Sequence, residues 1–350
     1  MMKCWRVYLR ALMANGFAFD KESKGLHMLD TILVPLDGSQ LSECVLPNIA
    51  TIARAFDSEI TLLRVLQKNQ ESASAKLFDL LNWQIKKAAA EHYIEKIKVQ
   101  FQEAGLRAQT ALLEGLVAEG ITEFAQSQRS NLIILSSHGH SGLTQWGISS
   151  IAQKIILSAP TSVLIIRAHQ YGAHPGELKN PSLFRHILIP LDGSQRAENV
   201  LPIITQLARM QKSQIHLVQI VQTPEMARQL PPAPEDVDLC SRFVERNQEE
   251  AEHYLEQMKS RSYLDGIEVQ THLVTSDNAT VALHQLVEQE NIDLVTLSAH
   301  GFSGNLQWPY GSLVSNFIMY GKVPLLIVQD LPAKQEPLSV EMLSRERADH

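Results

Sequence analysis

Short unbroken apolar runs alternate along this chain with longer stretches whose apolar positions recur every three or four residues. The short runs at Thr31–Leu36, Glu59–Leu66, Arg107–Leu113, Asn131–Leu135 and Ser162–Ile166 predict strands. Between them, Leu41–Phe56 carries Leu46, Ile49, Ile52 and Ala53 on one helical face. Phe78–Ala104 predicts a long amphipathic helix ended by Gly105, and Ala118–Ser127 and Ser149–Ser158 predict two shorter ones. The same order returns later, with strands near 186–191, 214–221, 267–274, 292–297 and 324–328. Its helices fall near 196–211, 240–260, 279–289 and 312–320. Strands that are apolar throughout and alternate with helices belong to parallel sheets covered on both faces. Right-handed crossovers then make each copy a doubly wound α/β/α sandwich with a five-stranded sheet.

Exact words as well as patterns repeat. Pro35-Leu36-Asp37-Gly38-Ser39-Gln40 returns as Pro190-Leu191-Asp192-Gly193-Ser194-Gln195. Ala90-Glu91-His92-Tyr93 returns as Ala251-Glu252-His253-Tyr254, and His138-Gly139 as His300-Gly301. The matches keep their order, and each copy is long enough to own a core. The expected organisation is therefore an extension at 1–28, a first domain at 29–167, a linker at 168–184, a second domain at 185–330 and a polar tail at 331–350. The linker holds Gly172, Pro175, Gly176 and Pro181, and the second copy has an extra proline-rich loop at Pro224–Asp236.

With 45% hydrophobic and 20% charged residues in 350, the composition is that of a globular protein, and its formal charge of −7 argues against a nucleic-acid-binding face. The three cysteines, Cys4, Cys44 and Cys240, form no CxxC pair, which favours a reducing cytoplasm. No apolar run reaches the ~18–20 residues of a membrane span, so no membrane partner is expected. Arg10 interrupts the apolar residues of Met1–His27, and that segment reads as an extension to a chain whose first strand follows Met28.

Chemistry is expected where strands empty into small-residue turns before a helix. Free backbone N–H groups and the positive end of the helix dipole make such turns anion sites. Two turn types qualify. Asp37 and Asp192 follow the first strand of each copy; each is a helix-capping candidate and equally an acceptor for a ribose hydroxyl or an adenine amino group. The fourth-strand turns run through Gly139 to Gly142 and Gly301 to Gly304, with a second small pair at Ser149-Ser150 and Gly311-Ser312 where the next helix opens. Neither is a Walker loop, since no Gly-Lys-Ser/Thr is present, and neither is a GxGxxG. His138 and His140 resemble a ligand pair but lack a third ligand nearby, so no metal is expected; turn ordering is the plainer role for His138 and His300. Trp146 and Trp308 recur in the glycine-rich loops as anchors or ligand covers.

These residues resemble the universal stress protein family, in particular its tandem members, over roughly 29–167 and 185–329. The family's ATP signature runs Gly, two residues, Gly, nine residues, Gly, then Ser or Thr. Ser298, Gly301, Gly311 and Ser312 follow it with one departure, Ser298; Ser136, Gly139, Ser149 and Ser150 follow it with two, Ser136 and Ser149. A serine for a glycine is costly only where φ is positive. The resemblance implies an adenine-nucleotide site, for ATP with Mg2+, formed in the second copy by Pro190, Leu191, Asp192, Ile220, Leu297, Ser298, His300, Gly301, Gly311 and Ser312. Its counterpart in the first copy is Pro35, Leu36, Asp37, Val65, Leu135, Ser136, His138, Gly139, Ser149 and Ser150. Asp37 and Asp192 would contact base or ribose, and Val65 and Ile220 would offer backbone groups to adenine. The implied role is regulatory, through an unidentified protein partner, with no catalytic residues required. The alternatives are a scaffold that binds no nucleotide and an AMP-forming enzyme of the wider superfamily. The family also pairs through its last strands, here Val163–Ile166 and Leu325–Val328, either within one chain or between two. The second copy keeps more of the signature and is expected to be the better binder.

Overall fold

The computed structural model describes residues 29–67, 76–140, 142, 147–168, 178, 183–224, 234–301 and 309–329. The expected extension, the tail and most of the linker lie outside them, as do Trp146 and Trp308.

Ten strands form one continuous sheet in the order β3-β2-β1-β4-β5-β10-β9-β6-β7-β8. In the first half these are β1 (Thr31–Pro35), β2 (Glu59–Leu66), β3 (Ala108–Glu114), β4 (Leu132–Ser136) and β5 (Ser162–Ile166). In the second they are β6 (His186–Pro190), β7 (Gln214–Val221), β8 (Glu268–Thr275), β9 (Leu294–Ser298) and β10 (Leu325–Val328). Every pairing within a half is parallel. The halves meet where β5 and β10 pair antiparallel, Leu325 opposite Ile165 and Ile327 opposite Val163. The last strands thus pair within one chain.

Strand alternation sends successive side chains to opposite faces, and the core divides accordingly. Ile32, Val34, Ile60 and Leu62 go to one face with Ile187, Ile189 and Leu217. Leu33, Leu63 and Ile133 go to the other with Leu188, Val218 and Val295. Helices α1 (Gln40–Glu43), α2 (Leu46–Phe56), α3 (Lys76–Glu103), α6 (Gln195–Glu198), α7 (Leu201–Gln211) and α8 (Pro234–Lys259) supply the first layer. Helices α4 (Val117–Ser127), α5 (Ser150–Ser158), α9 (Ala279–Gln289) and α10 (Ser312–Tyr320) supply the second. Both cores run unbroken across the join between halves.

Three helix boundaries differ from expectation, each at a proline. The helix expected over Leu41–Phe56 is two helices, because Pro47, lying in the first turn of α2, has no N–H to continue the ladder from α1. Pro202 repeats the break between α6 and α7. The loop expected over Pro224–Asp236 ends early. Pro234 is the first residue of α8, where a missing N–H costs nothing, and Glu235 and Asp236 favour the dipole of its first turn. Gly105 ends α3 as expected, at φ +77°, with the Leu106 N–H reaching back 2.9 Å to the Phe101 carbonyl.

Candidate functional site

At the C-terminal edge of the second half, β6 sits between β7 and β9, and the chain leaves the sheet in opposite directions on its two sides. Ligands of such folds bind at this switch point. A cleft of about 720 Å³ opens there, within the roughly 300–1,000 Å³ of small-molecule sites. All ten second-half residues singled out from the sequence line it: Pro190, Leu191, Asp192, Ile220, Leu297, Ser298, His300, Gly301, Gly311 and Ser312.

Local chemistry explains how the edge is built. Leu191 donates its N–H to the Val218 carbonyl at 2.8 Å, after which β6 turns away. Ile220 lies two residues beyond Val218, so its own N–H and C=O point the same way, past the end of β6. The turn that follows β6 is held by Asp192, whose Oδ1 accepts from the Ser194 amide (3.0 Å) and hydroxyl (2.6 Å). Ser194, not Asp192, caps α6, accepting from the Ala197 N–H. Across the cleft, a Cβ on Gly301 would stand 2.5 Å from Asp192 Oδ2, so close approach rather than backbone strain demands glycine there. His300 is 1% exposed and lines the same wall.

Three polar features of this cleft are open. Among the described residues, Ser298 Oγ and Gln219 Oε1 are buried and make no hydrogen bond, an expensive condition for buried groups. Gly311 is the N-cap of α10 and offers no side chain to the first-turn N–H groups. An anionic group would meet the α10 N–H groups, and a ligand that also donates hydrogen bonds would meet the Gln219 Oε1 acceptor and the Ser298 hydroxyl, a combination that a nucleotide offers.

The first half answers each feature differently. Ser149 caps α5 with its own hydroxyl, which accepts from the Ala152 N–H at 3.2 Å. Its φ of −63° shows no strain, so the consequence of replacing glycine is an internal cap, not a distorted backbone. Ser136 Oγ is occupied by the Cys44 thiol (3.5 Å) and the His138 N–H (3.4 Å). Arg64, which stands where the second half has Gln219, lays its guanidinium against Gly38 with Cζ 5.3 Å from the Tyr93 ring centre. A Cβ on Gly38 would run into Arg64 Nη1. Asp37 Oδ2 accepts from the His140 N–H at 2.6 Å, drawing the glycine-rich turn onto the β1 turn. Burial pushes the Asp37 carboxyl up, but the hydrogen bonds from Ser39 and His140 outweigh it and hold it below its ordinary value. Val65 lines a separate hollow of about 530 Å³ with Leu113, Glu119 and Phe124, which none of Pro35, Leu36, Asp37, Leu135, Ser136, His138, Gly139, Ser149 or Ser150 joins.

A family model described as "Universal stress protein family" matches residues 28–167 and 183–329, most of the chain. The chain belongs to the universal stress protein family. Among curated relatives, a universal stress protein of Methanocaldococcus jannaschii is 28% identical over 149 residues, covering 41% of this chain and 85% of the relative. One from Synechocystis is 26% identical over 166 residues, covering 47% and 98%. The crystal structure of a universal stress protein from Archaeoglobus fulgidus has the same fold, with a TM-score of 0.60 and 18% identity over 86% of this chain and 98% of that one. Each curated relative is spanned by about one half of this universal stress protein, as a duplicated chain requires.

Sequence reasoning missed several cleft residues of the protein. Gln219, Asn247, Glu250 and Tyr254 line it from β7 and α8. Tyr254 was visible as part of the repeated Ala-Glu-His-Tyr word; its hydroxyl donates to Glu198 at 3.1 Å, and burial, with Glu198 nearby, raises its pKa. His138, 3% exposed, meets the Ser137 hydroxyl through Nδ1 at 3.0 Å. That bond is of the turn-ordering kind. Also missed were His216, His272 and Glu290, whose donor atoms converge on the far side of the second half. Among the described residues no helix is long and apolar enough to cross a membrane.

Proposed function

We propose that this universal stress protein binds ATP, with Mg2+, in the cleft of its second half, and that occupancy regulates what its surface offers to a protein partner. The observation that carries this is the conjunction at one cleft of an uncapped α10 N-terminus with the unpaired Ser298 hydroxyl and Gln219 carbonyl. Phosphate oxygens suit the α10 N–H groups. In this reading the Ile220 main chain meets the adenine edge and Asp192 accepts from a ribose hydroxyl. Binding rather than turnover is the proposed activity.

The first half fits the second reading, a scaffold that binds no nucleotide, because Ser149 caps its own helix and Arg64 occupies the counterpart position of Gln219. The β5–β10 pairing supports an intramolecular pseudo-dimer, which uses the last-strand edges within one chain.

Thermal unfolding with saturating MgATP tests the proposal, together with nucleotide analysis of freshly purified protein after denaturation. Ligand at ~100 times Kd stabilises by about 2.7 kcal/mol, several degrees for a protein of this size. Calorimetric stoichiometry should be one ATP per chain. No shift and no released nucleotide would leave only the scaffold; two equal sites would refute the inequality of the halves.

A further inference from the structure

Three adjacent strands of the second half carry a row of histidines unrelated to the nucleotide cleft. His186 opens β6, His216 is on β7 and His272 on β8. Strand alternation puts His186 with Leu188, and His216 with Val218, on the sheet face covered by Leu283, Leu286 and Val287 of α9. His216 is 1% exposed. Its Nδ1 lies 3.0 Å from His272 Nε2, and its Nε2 lies 3.3 Å from His186 Nδ1. Glu290, the C-cap of α9, completes the group: one donor atom each from His216, His272 and Glu290 falls within a mutual 4.8 Å. The cleft receives the opposite end of α9, at Ala279.

The duplication provides an internal control. By strand register, His216 stands where the first half has Thr61, and His272 where it has Ala111. Helix caps pair Glu290 with Gln128, and strand starts pair His186 with Thr31. Thr61 simply accepts a 3.0 Å bond from Gln109. The fold closes without imidazoles or a carboxylate here, so packing alone does not call for them.

The chemistry of the group is that of a metal site. Two imidazole nitrogens bound to one tetrahedral ion at ~2.0–2.1 Å stand roughly 3.3 Å apart, a few tenths of an ångström wider than the present pair. A metal replaces the single proton these two nitrogens now share. His186 Nδ1 is placed to take the Nε2–H of His216, the arrangement that fixes a ligating ring's tautomer. Metal ligands must be neutral imidazoles.

We infer that His216, His272 and Glu290 bind a divalent transition-metal ion of the zinc class, with His186 as a positioning residue for His216. Two nitrogens and one carboxylate select Zn2+ or Co2+ over Mg2+ or Ca2+. The ion ties β7 and β8 to the end of α9.

Zinc and cobalt titrations of untagged, chelator-treated full-length protein test this. One Zn2+ per chain should bind and raise Tm by several degrees, Mg2+ should leave Tm unchanged, and Co2+ should give the visible bands of low-coordinate cobalt. The double variant His216→Thr, His272→Ala installs the first half's residues; it should retain the circular dichroism spectrum and lose zinc binding at least tenfold. Should that variant misfold, His186→Thr and Glu290→Gln at the partly exposed positions serve instead, each expected to weaken zinc roughly 10–100-fold. Absence of cobalt bands in the wild type, or full zinc affinity in the folded variants, overturns the site.

Discussion

Arg167 donates from Nη2 to the Phe317 carbonyl at 2.6 Å, joining the residue after β5 to the last turn of α10 in the other half. Its Nη1 donates to the Ile318 carbonyl at 3.0 Å, and the side chain is 1% exposed. A buried guanidinium held by carbonyls at a helix C-terminus is stabilised by their lone pairs and by the negative end of the dipole. Burial lowers its pKa to about 10, which still leaves it charged at neutral pH. The first-half helix is held across the join by a different group: Gln329 stands at the counterpart of Arg167 and donates its backbone N–H to Ser162 Oγ, while the Tyr310 hydroxyl donates to the Ile156 carbonyl in the last turn of α5 at 2.7 Å. Arg167→Met keeps much of the volume and strands the carbonyls, so it should cost about 2–4 kcal/mol. Urea unfolding should show the midpoint falling; an unchanged midpoint would mean that the join rests on β5–β10 pairing, the apolar core and the other cross-half bonds, Tyr310 to Ile156 and Gln206 to Ala55, without Arg167.

Gly301 and Gly311 are both signature positions, yet alanine should affect them differently. At Gly301 a Cβ meets Asp192 Oδ2 at 2.5 Å and must displace a carboxylate already committed to Ser194. At Gly311 the nearest neighbour, the Ala299 carbonyl, is 3.8 Å away, an ordinary contact, and φ is −67°. Gly301→Ala should lower stability by roughly 1–3 kcal/mol and weaken ATP at least tenfold. Gly311→Ala should stay within about 1 kcal/mol of wild type and keep its ATP affinity within a few-fold. Calorimetry and denaturant titration on both variants decide the matter, and equal behaviour would remove close approach as the reason for Gly301.

Helix capping gives a substitution whose effects on stability and binding have opposite signs. Gly311→Asp supplies α10 with an acceptor and a negative charge at its positive end, worth a few tenths to about 1 kcal/mol. The same carboxylate takes the N–H groups meant for phosphate and repels it. Tm should hold or rise while MgATP affinity falls by more than tenfold. If Gly311→Asp binds MgATP as the wild type does, the phosphates do not sit at α10.

Most of the fold was legible because apolar runs and their repetition constrain a parallel sheet strongly. The helix boundaries at Pro47 and Pro234 were legible in principle, since each follows from a missing N–H, but periodicity alone ran past the first and started late at the second. The ten second-half cleft residues came from the family resemblance, which the turn residues Asp192, Gly301, Gly311 and Ser312 carried. Arg64 was not: it lies on β2, beside the strand whose turn holds Gly38, and its place against Tyr93 of α3 shows only once helix and sheet are packed. The His216–His272–Glu290 group was equally hidden, since its members are far apart in sequence. Only an aligned comparison of the halves, Thr61 with His216 and Ala111 with His272, could have exposed it.

Asp37 offers a prediction in pH. Its carboxyl is held below its ordinary value of 3.8 by the Ser39 hydroxyl and amide and by the His140 amide, against the upward push of burial. A carboxyl depressed in the folded state binds fewer protons there than in the unfolded state, so stability rises with pH across the window between the two values. The contribution is fully present above about 4 and is lost as pH falls through the folded value. Asp37→Asn keeps a carbonyl acceptor but removes the charge. The stability gap between wild type and Asp37→Asn should therefore be constant from pH 7 to about 5 and should shrink below the ordinary carboxyl range. Urea titrations at steps from pH 7 to 3 measure it. A gap that widens on acidification would show that the Asp37 carboxyl is raised, not lowered, by its place between the β1 turn and His140.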